Sequence, residues 1–141
     1  MKILIISLIT FFITLNSFSK EVVLEMLNKR DDGEKMVFSE DVVKVDVGDT
    51  IKWLATNKGH NVEFIAGPDG ATLPPKSGLN KDVSVKFEKP GVYLYICTPH
   101  KVMGMIGLVV VGGDLSNKDS IAGVKMIGRG KKKLASLIGS I

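Results

Sequence analysis

Residues 91–111 read GVYLYICTPHKVMGMIGLVVV. The two ends of this stretch, residues 92–97 and 105–111, are rich in apolar, β-branched and aromatic residues, which is typical of β-strands. Turn signals bound the stretch, with Pro90-Gly91 in front and Gly112-Gly113 behind. The stretch therefore predicts two strands that are joined by a short loop.

Further short apolar segments precede this stretch. Val43, Val45 and Val47 alternate with Lys44 and Asp46, which is the period-two pattern of a half-buried strand. About eight short strands with no long helix among them indicate a β-sandwich or a barrel. Besides the two strands above, we expect strands over residues 22–27, 43–47, 50–55, 61–65 and 83–87, and a surface loop with room for one turn of helix over residues 67–80.

The last part of the chain follows a different pattern. From residue 114 onward there is no alternation, and apolar residues recur at helical spacing. We expect two helices that cover one face of the sandwich. The positions concerned are Leu134, Leu137, Ile138 and Ile141 in the longer helix, Ile121, Val124 and Ile127 in the shorter one, and Gly128 and Gly130 between them.

The N-terminus has the features of a secretory signal peptide. Lys2 supplies a positive charge, residues 3–15 are mostly apolar, and Ser17-Phe18-Ser19 is a small-x-small cleavage site. The alternative is a membrane anchor, but the apolar run is shorter than the roughly 20 residues that a spanning helix needs. We therefore expect an exported protein with a signal peptide at residues 1–19, a sandwich at 20–113 and C-terminal helices at 114–141.

Composition and charge narrow the classes of function. The 141 residues are 45% hydrophobic, which is enough for a packed core. The formal charge is +4, and it falls to +3 without Lys2. Such a mild excess suits an acidic protein partner or an anionic surface better than nucleic acid. The basic run at residues 129–133 is interpreted as the solvated start of a helix, so we expect no nucleic-acid binding and no membrane insertion of the mature chain.

The loop between the last two strands carries three groups that bind metals. Cys97, His100 and Met105 follow the spacing C-x2-H-x4-M and supply a thiol, an imidazole and a thioether. Cys97 is the only cysteine, so it has no partner within the chain for a disulfide. The chain has two histidines, and the other one, His60, follows a predicted turn.

A thiolate, two imidazoles and a weak axial thioether are the ligand set of type 1 copper. Taken one by one, a lone Cys, His or Met is more commonly a packing or surface residue. The conjunction is informative, because both histidines, the sole cysteine and a nearby methionine are used together. It predicts a copper site that His60 approaches from across the sheets.

Segments along most of the mature chain also resemble the pseudoazurins, small blue copper proteins of the cupredoxin family. The plastocyanins are similar around both histidine-bearing segments, but the helical tail favours the pseudoazurins. The segments that carry the resemblance are Met26-Leu27-Asn28-Lys29, Met36-Val37-Phe38, Gly48-Asp49-Thr50, Lys58-Gly59-His60-Asn61-Val62-Glu63, Pro90-Gly91-Val92-Tyr93, Cys97-Thr98-Pro99-His100 and Met103-Gly104-Met105-Ile106-Gly107.

The resemblance implies an all-β, cupredoxin-like Greek-key sandwich of about eight strands with a C-terminal helical extension. It also implies one type 1 copper ion that changes between Cu(I) and Cu(II), with Met103 as the second choice for the axial ligand. The implied ligands are His60, Cys97, His100 and Met105.

The resemblance further implies how the site is supported and used. The Asn28 backbone N–H would donate to the Cys97 sulfur, and Asn61 would tie the two ligand segments together. The His100 ring edge would reach the surface inside an apolar patch where redox partners dock transiently. Candidate patch residues are Met36, Pro99, Met103 and Gly104, and candidate lysines around them are Lys29, Lys58 and Lys101.

These features imply a periplasmic, monomeric one-electron carrier and not an enzyme. Its acceptor would be copper nitrite reductase or another periplasmic reductase, with cytochromes and amine dehydrogenases as further candidate partners. Two other functions fit single residues, namely an enzyme with Cys97 as nucleophile and a histidine as base, and a copper carrier or storage protein. Neither uses the whole set, because such an enzyme does not need Met105, and carriers offer clusters of Met or Cys.

Overall fold

The computed structural model describes residues 18–141 as two packed β-sheets and two helices. The predicted signal peptide lies outside the described residues, except for its last two positions. A 3₁₀ helix, Thr98–Met103, joins the last two strands. The other elements are β1 Glu21–Lys29, β2 Lys35–Phe38, β3 Val42–Val45, β4 Thr50–Leu54, β5 Glu63–Ala66, β6 Val83–Lys86, β7 Gly91–Ile96, β8 Ile106–Val111, α1 Lys118–Ala122 and α2 Arg129–Gly139.

Each of the two sheets has four strands. The strand order is β2-β1-β4-β6 in one sheet and β3-β8-β7-β5 in the other. β1 runs parallel to β4, and β3 runs parallel to β8, whereas the other neighbours are antiparallel. The chain therefore crosses repeatedly from one sheet to the other, and the predicted all-β sandwich is confirmed.

The main core lies between the two sheets. Leu24 of β1 and Trp53 of β4 meet Tyr95 of β7 and Val109 of β8, and all four side chains are fully buried. The Trp53 and Tyr95 rings pack edge to face with their centroids 5.2 Å apart. Such aromatic pairs add about 0.5–1.5 kcal/mol to the gain from burial.

A second cluster covers the outer face of β7 and β8. Both strands are buried on both faces, which explains why their sequence is continuously apolar instead of alternating. Their outer side chains pack against Ile121 of α1 and against Leu134 and Leu137 of α2. Among residues 18–141, neither these helices nor any other is both long and apolar enough to cross a membrane.

Four details differ from what the sequence predicts. Gly130 is the second residue of α2 and does not lie between the two helices. β2 forms where no separate strand was expected, because its buried residues, Val37 and Phe38, are consecutive and Met36 has a positive φ of 50°, so the strand shows no period-two pattern. The loop at residues 67–80 contains no helical turn. Val124 and Ile127 follow α1 instead of extending it, since that helix ends before Gly123, and glycine is a weak helix former.

Candidate metal centre

The candidate ligands lie at one end of the sandwich. Cys97 directly follows β7, and residues 97–105, here called the ligand loop, lead through the 3₁₀ helix to β8. His60 lies between β4 and β5, and β5 is the antiparallel neighbour of β7. Because Glu63 pairs with Ile96, the turn that carries His60 comes next to the ligand loop.

Three candidate ligand atoms converge at this end. The Cys97 Sγ lies 3.7 Å from His60 Nδ1 and 3.4 Å from His100 Nδ1, and the two Nδ1 atoms are 3.2 Å apart. The point equidistant from these three atoms lies about 2.0 Å from each of them, which matches metal–nitrogen and metal–sulfur bonds of about 2.0–2.3 Å. The three side chains therefore fit a bound metal ion.

A hydrogen bond fixes the orientation of the His60 ring. The Nε2 atom lies 2.9 Å from Asn28 Oδ1. Since an amide oxygen only accepts, Nε2 carries the proton, and Nδ1 keeps its lone pair toward Cys97 and His100. Burial lowers the pKa of both imidazoles, and the neighbouring His100 lowers that of His60 further. Both rings are therefore neutral at pH 7, the form in which imidazole binds metals.

The Cys97 thiol is fully buried, and burial raises its pKa. Backbone N–H groups of Asn61 and His100 point at the sulfur and oppose that rise, because they favour the thiolate. The expectation that the Asn28 N–H serves this sulfur is wrong, since that N–H donates to Asn57 Oδ1 at 2.8 Å. The Cys97 thiol would give up its proton on binding a metal ion here.

The two methionines of the ligand loop differ in how deeply they are buried. Met105 is fully buried, whereas Met103 keeps 43% of its surface exposed. The Met105 backbone carbonyl accepts the Cys97 N–H at 2.9 Å, and the Met105 N–H donates to the His100 carbonyl at 3.2 Å. Met105 is thus tied to two of the candidate ligands, and its thioether is the one inside the protein.

Asn61 joins the two ligand-bearing segments, as the resemblance implies. Its Oδ1 accepts the Thr98 N–H at 2.8 Å, and its Nδ2 donates to Thr98 Oγ1 at 2.9 Å. Thr98 Oγ1 donates in turn to Glu63 Oε2 at 2.6 Å. These bonds fix the separation of the His60 turn and the ligand loop without the help of a metal.

Two residues that the sequence analysis missed support the other side of His60. Asn80 accepts the Gly59 N–H on its Oδ1 at 2.6 Å and donates its own N–H to the His60 carbonyl at 2.9 Å. Ser77 Oγ accepts the Val62 N–H at 2.9 Å. Asn80 has a φ of 60°, a left-handed conformation that asparagine tolerates better than most residues. An asparagine in a loop is the only sequence signal for this role, and it does not reveal that the loop returns to residue 60.

His100 is the candidate ligand that reaches the surface. His60, Cys97 and Met105 are fully buried, whereas His100 is half-buried. Among the expected patch residues, three line one groove with Arg129 of α2, and these are Met36, Met103 and Gly104. Pro99, Lys29 and Lys58 are exposed, and Lys101 is half-buried.

Comparison with known proteins agrees with this chemistry. Residues 24–112 match the model of a family described as copper binding proteins, plastocyanin/azurin family. The chain is 42% identical to a pseudoazurin of Methylorubrum extorquens over 130 residues, which cover 91% of this chain and 86% of the relative. It is 36% identical to a pseudoazurin of Paracoccus pantotrophus over 120 residues, which cover 84% of this chain and 81% of the relative.

A solved structure agrees at the level of the fold. The crystal structure of native pseudoazurin from Hyphomicrobium denitrificans superposes with a TM-score of 0.80 at 42% identity, and the match covers 86% of this chain and 98% of that one. The sequence and the fold thus point to the same group of proteins. The chain belongs to the plastocyanin/azurin family of copper-binding proteins and, within that family, to the pseudoazurins.

Proposed function

We propose that His60, Cys97, His100 and Met105 hold one type 1 copper ion and that the protein carries single electrons. The family is one of blue copper electron carriers, so the open question is which residues of this chain form the site. The observation that supports the assignment is the convergence of Cys97 Sγ with the Nδ1 atoms of His60 and His100. Met105 adds a buried thioether from the same loop.

The surrounding residues keep the donor atoms in place. Type 1 copper supplies a reversible one-electron change between Cu(I) and Cu(II). Asn28 orients the His60 ring, and Asn61 holds the ligand loop, through hydrogen bonds that do not involve the metal. The donor atoms therefore need to move little when the charge of the site changes. Burial of His60 and Cys97 keeps water away from the sulfur side of the site.

Electrons would enter and leave on the His100 side. That residue keeps exposed surface, and the apolar side chains of Met36 and Met103 lie in the groove next to the ligand loop. Exposed lysines such as Lys29 and Lys58 give the surroundings a positive rim. An apolar centre with a charged rim favours fast and transient docking. We infer a periplasmic monomer that donates to a periplasmic reductase, with copper nitrite reductase as the first candidate.

The two other functions have less support. A catalytic nucleophile needs an accessible and activated thiol, but Cys97 is fully buried and its pKa is raised. A copper carrier needs an exposed site from which the ion is readily passed on. Three of the four proposed ligands are fully buried, namely His60, Cys97 and Met105.

The visible spectrum of the mature protein after copper addition tests the proposal. We expect an intense thiolate-to-copper band and a reversible one-electron wave in voltammetry. Cys97→Ser should remove both, while far-UV circular dichroism stays close to that of the unchanged protein, because a hydroxyl replaces the sulfur with little change in volume. A protein that stays colourless with copper, or a Cys97→Ser variant that keeps the band, rejects the assignment.

A further inference from the structure

The first turn of α2 lies directly against the ligand loop. Glycine occupies two positions where these segments are in close contact, Gly128 just before the helix and Gly130 within its first turn. A Cβ added to Gly128 would lie 2.5 Å from the Val102 carbonyl oxygen, and one added to Gly130 would lie 2.9 Å from the Lys101 carbonyl oxygen. Side-chain carbons do not approach backbone oxygens so closely, so the contact requires residues without side chains.

Gly130 gives the stronger evidence for the contact, because its helical backbone conformation does not require glycine. Gly128 has a positive φ of 58°, which by itself favours glycine. Gly130 lies inside a helix, where glycine is among the poorest residues for stability and alanine is the best. Gly130 is buried, and the space beside it is filled by the Lys101 oxygen and by Met126 Cε, 3.1 Å from the added Cβ. Glycine at this position therefore lowers the intrinsic stability of α2 but allows the close contact with the Lys101 carbonyl.

The contact between Gly130 and Lys101 involves the turn that joins two proposed ligands, His100 and Met105. Lys101 directly follows His100, and its carbonyl also accepts the Gly104 N–H at 3.2 Å. Gly104 precedes Met105 and itself lies against α2, since a Cβ added there would be 3.5 Å from Arg129 Cβ. A displacement of the Lys101 carbonyl therefore shifts the whole turn between His100 and Met105.

We propose that the first turn of α2 braces the ligand loop through Gly130 and so sets the positions of His100 and Met105 at the metal centre. Gly130 is a positioning residue, because it acts through the backbone of the loop and not on the metal. The inference rests on the proposed ligand set. It gives the C-terminal helices a role beyond covering the apolar face of β7 and β8.

Gly130→Ala and Gly139→Ala form a matched pair that tests the brace. Both add one methyl group to α2, but Gly139 is exposed, and no atom lies within 4 Å of its Cβ position. In the metal-free protein, we expect Gly130→Ala to shift the backbone amide resonances of residues 100–104 and Gly139→Ala to leave them unchanged. With copper bound, Gly130→Ala should alter the thiolate-to-copper band and shorten the half-life of copper release to a chelator by about threefold or more.

A loss of stability alone does not support the brace. If Gly130→Ala lowers the thermal midpoint but leaves both the amide resonances of residues 100–104 and the copper-release rate unchanged, Gly130 serves only helix packing and the proposal is overturned. The metal-free measurement is valid even if the unchanged protein never turns blue with copper. That result would reject the proposed function and leave the brace to be judged by the amide resonances.

The double variant Gly130→Ala with Met126→Ala separates the two contacts of Gly130. It is also the variant to measure if Gly130→Ala alone does not fold, because it removes part of the crowding. Amide shifts that persist in the double variant support the contact with the Lys101 carbonyl. Resonances that return to those of the unchanged protein assign the conflict to Met126 and overturn the brace.

Discussion

The orientation of the buried His60 ring depends on Asn28, which lies 32 positions earlier in the chain. Asn28→Ala removes the acceptor of the Nε2–H, so the ring loses both its fixed proton position and its fixed angle. Losing such a partner of a metal-bound histidine typically costs about 10- to 100-fold in metal affinity. We therefore expect copper competition with a chelator to show a loss of about tenfold or more for this variant.

Asn117→Ala is the control for Asn28→Ala. Asn117 also makes short side-chain hydrogen bonds, both at 2.8 Å, to the N–H and carbonyl of Val92. Val92 lies near the start of β7, whereas Cys97 follows the end of that strand. This variant should lower the free energy of unfolding by about 1–3 kcal/mol and leave copper affinity unchanged. Equal losses of copper affinity in both variants would mean that general stability, and not the His60 ring, sets the affinity.

The axial ligand can be assigned by comparing Met105→Leu with Met103→Leu. Leucine has nearly the volume of methionine but no sulfur, so each variant removes a thioether with little change in packing. A weak axial thioether stabilises Cu(II), and its loss should raise the midpoint potential of the site. We expect the rise for Met105→Leu alone, measured by voltammetry, because Met103 is 43% exposed. A rise for Met103→Leu alone would move the axial role to that residue.

At the scale of residues, chemistry that lies within one segment could be predicted, and contacts between distant segments could not. The spacing of Cys97, His100 and Met105 predicts the metal chemistry because these residues share one loop. The N–H donor to the Cys97 sulfur was predicted wrongly at Asn28, because only the packed structure reveals that Asn57 takes that N–H. The role of Asn80 was missed for the same reason, since 20 residues separate it from His60.

At the scale of elements, whether a strand could be predicted from the sequence depends on which of its faces are buried. β3 and β6 are buried on one face, so their sequences alternate and reveal them. β7 and β8 are buried on both faces, and their apolar runs gave correct strands but not the identity of the second covering layer. That layer is formed by α1 and α2, as the helical spacing of apolar residues after residue 114 predicts. β2 escaped prediction because its buried residues, Val37 and Phe38, are consecutive and give no period-two signal.

Asp49 links two elements at the end of the sandwich opposite the metal centre. Its Oδ1 accepts the Lys20 N–H at 2.8 Å just before β1, and its Oδ2 accepts the Asp46 N–H at 2.9 Å in the turn between β3 and β4. These hydrogen bonds hold the pKa of the Asp49 carboxyl below its ordinary value. The stabilisation is therefore complete above the ordinary carboxyl pKa of about 3.9 and is lost as the pH falls through the lower folded value.

Asp49→Asn tests this link through the pH dependence of stability. The variant keeps an amide oxygen but has no charge to lose, so its free energy of unfolding should be lower at pH 7 and should fall less steeply below about pH 4. Denaturant unfolding of the metal-free protein, between about pH 7 and pH 3, measures both effects. Asp31→Asn, at an exposed position, is the control. Curves that run parallel for Asp49→Asn and the unchanged protein would contradict the prediction.

At the scale of the whole molecule, the two ends of the sandwich are expected to play different parts. Lys58 is exposed and lies two positions before His60, at the end where electrons are proposed to leave. Lys44 is also exposed but pairs with Val110, about 16 Å along β8 from Met105. A charge reversal at either lysine changes the net charge equally. Only the change at Lys58 alters the potential at the His100 face, because screening limits its reach to about 10 Å at about 0.1 M salt.

A pair of small oxidants, one anionic and one cationic, can therefore show where electrons leave the protein, without the need for a protein partner. We expect Lys58→Glu to slow oxidation of the reduced protein by hexacyanoferrate(III), an anion, and to speed oxidation by tris(phenanthroline)cobalt(III), a cation. Each change should be about two- to tenfold at about 0.1 M salt and should shrink as more salt is added, measured by stopped-flow absorbance of the blue band. Lys44→Glu should change neither rate appreciably. Similar changes in both variants would mean that net charge alone governs the encounter with the oxidant. That result would contradict the proposal that electrons leave on the His100 side.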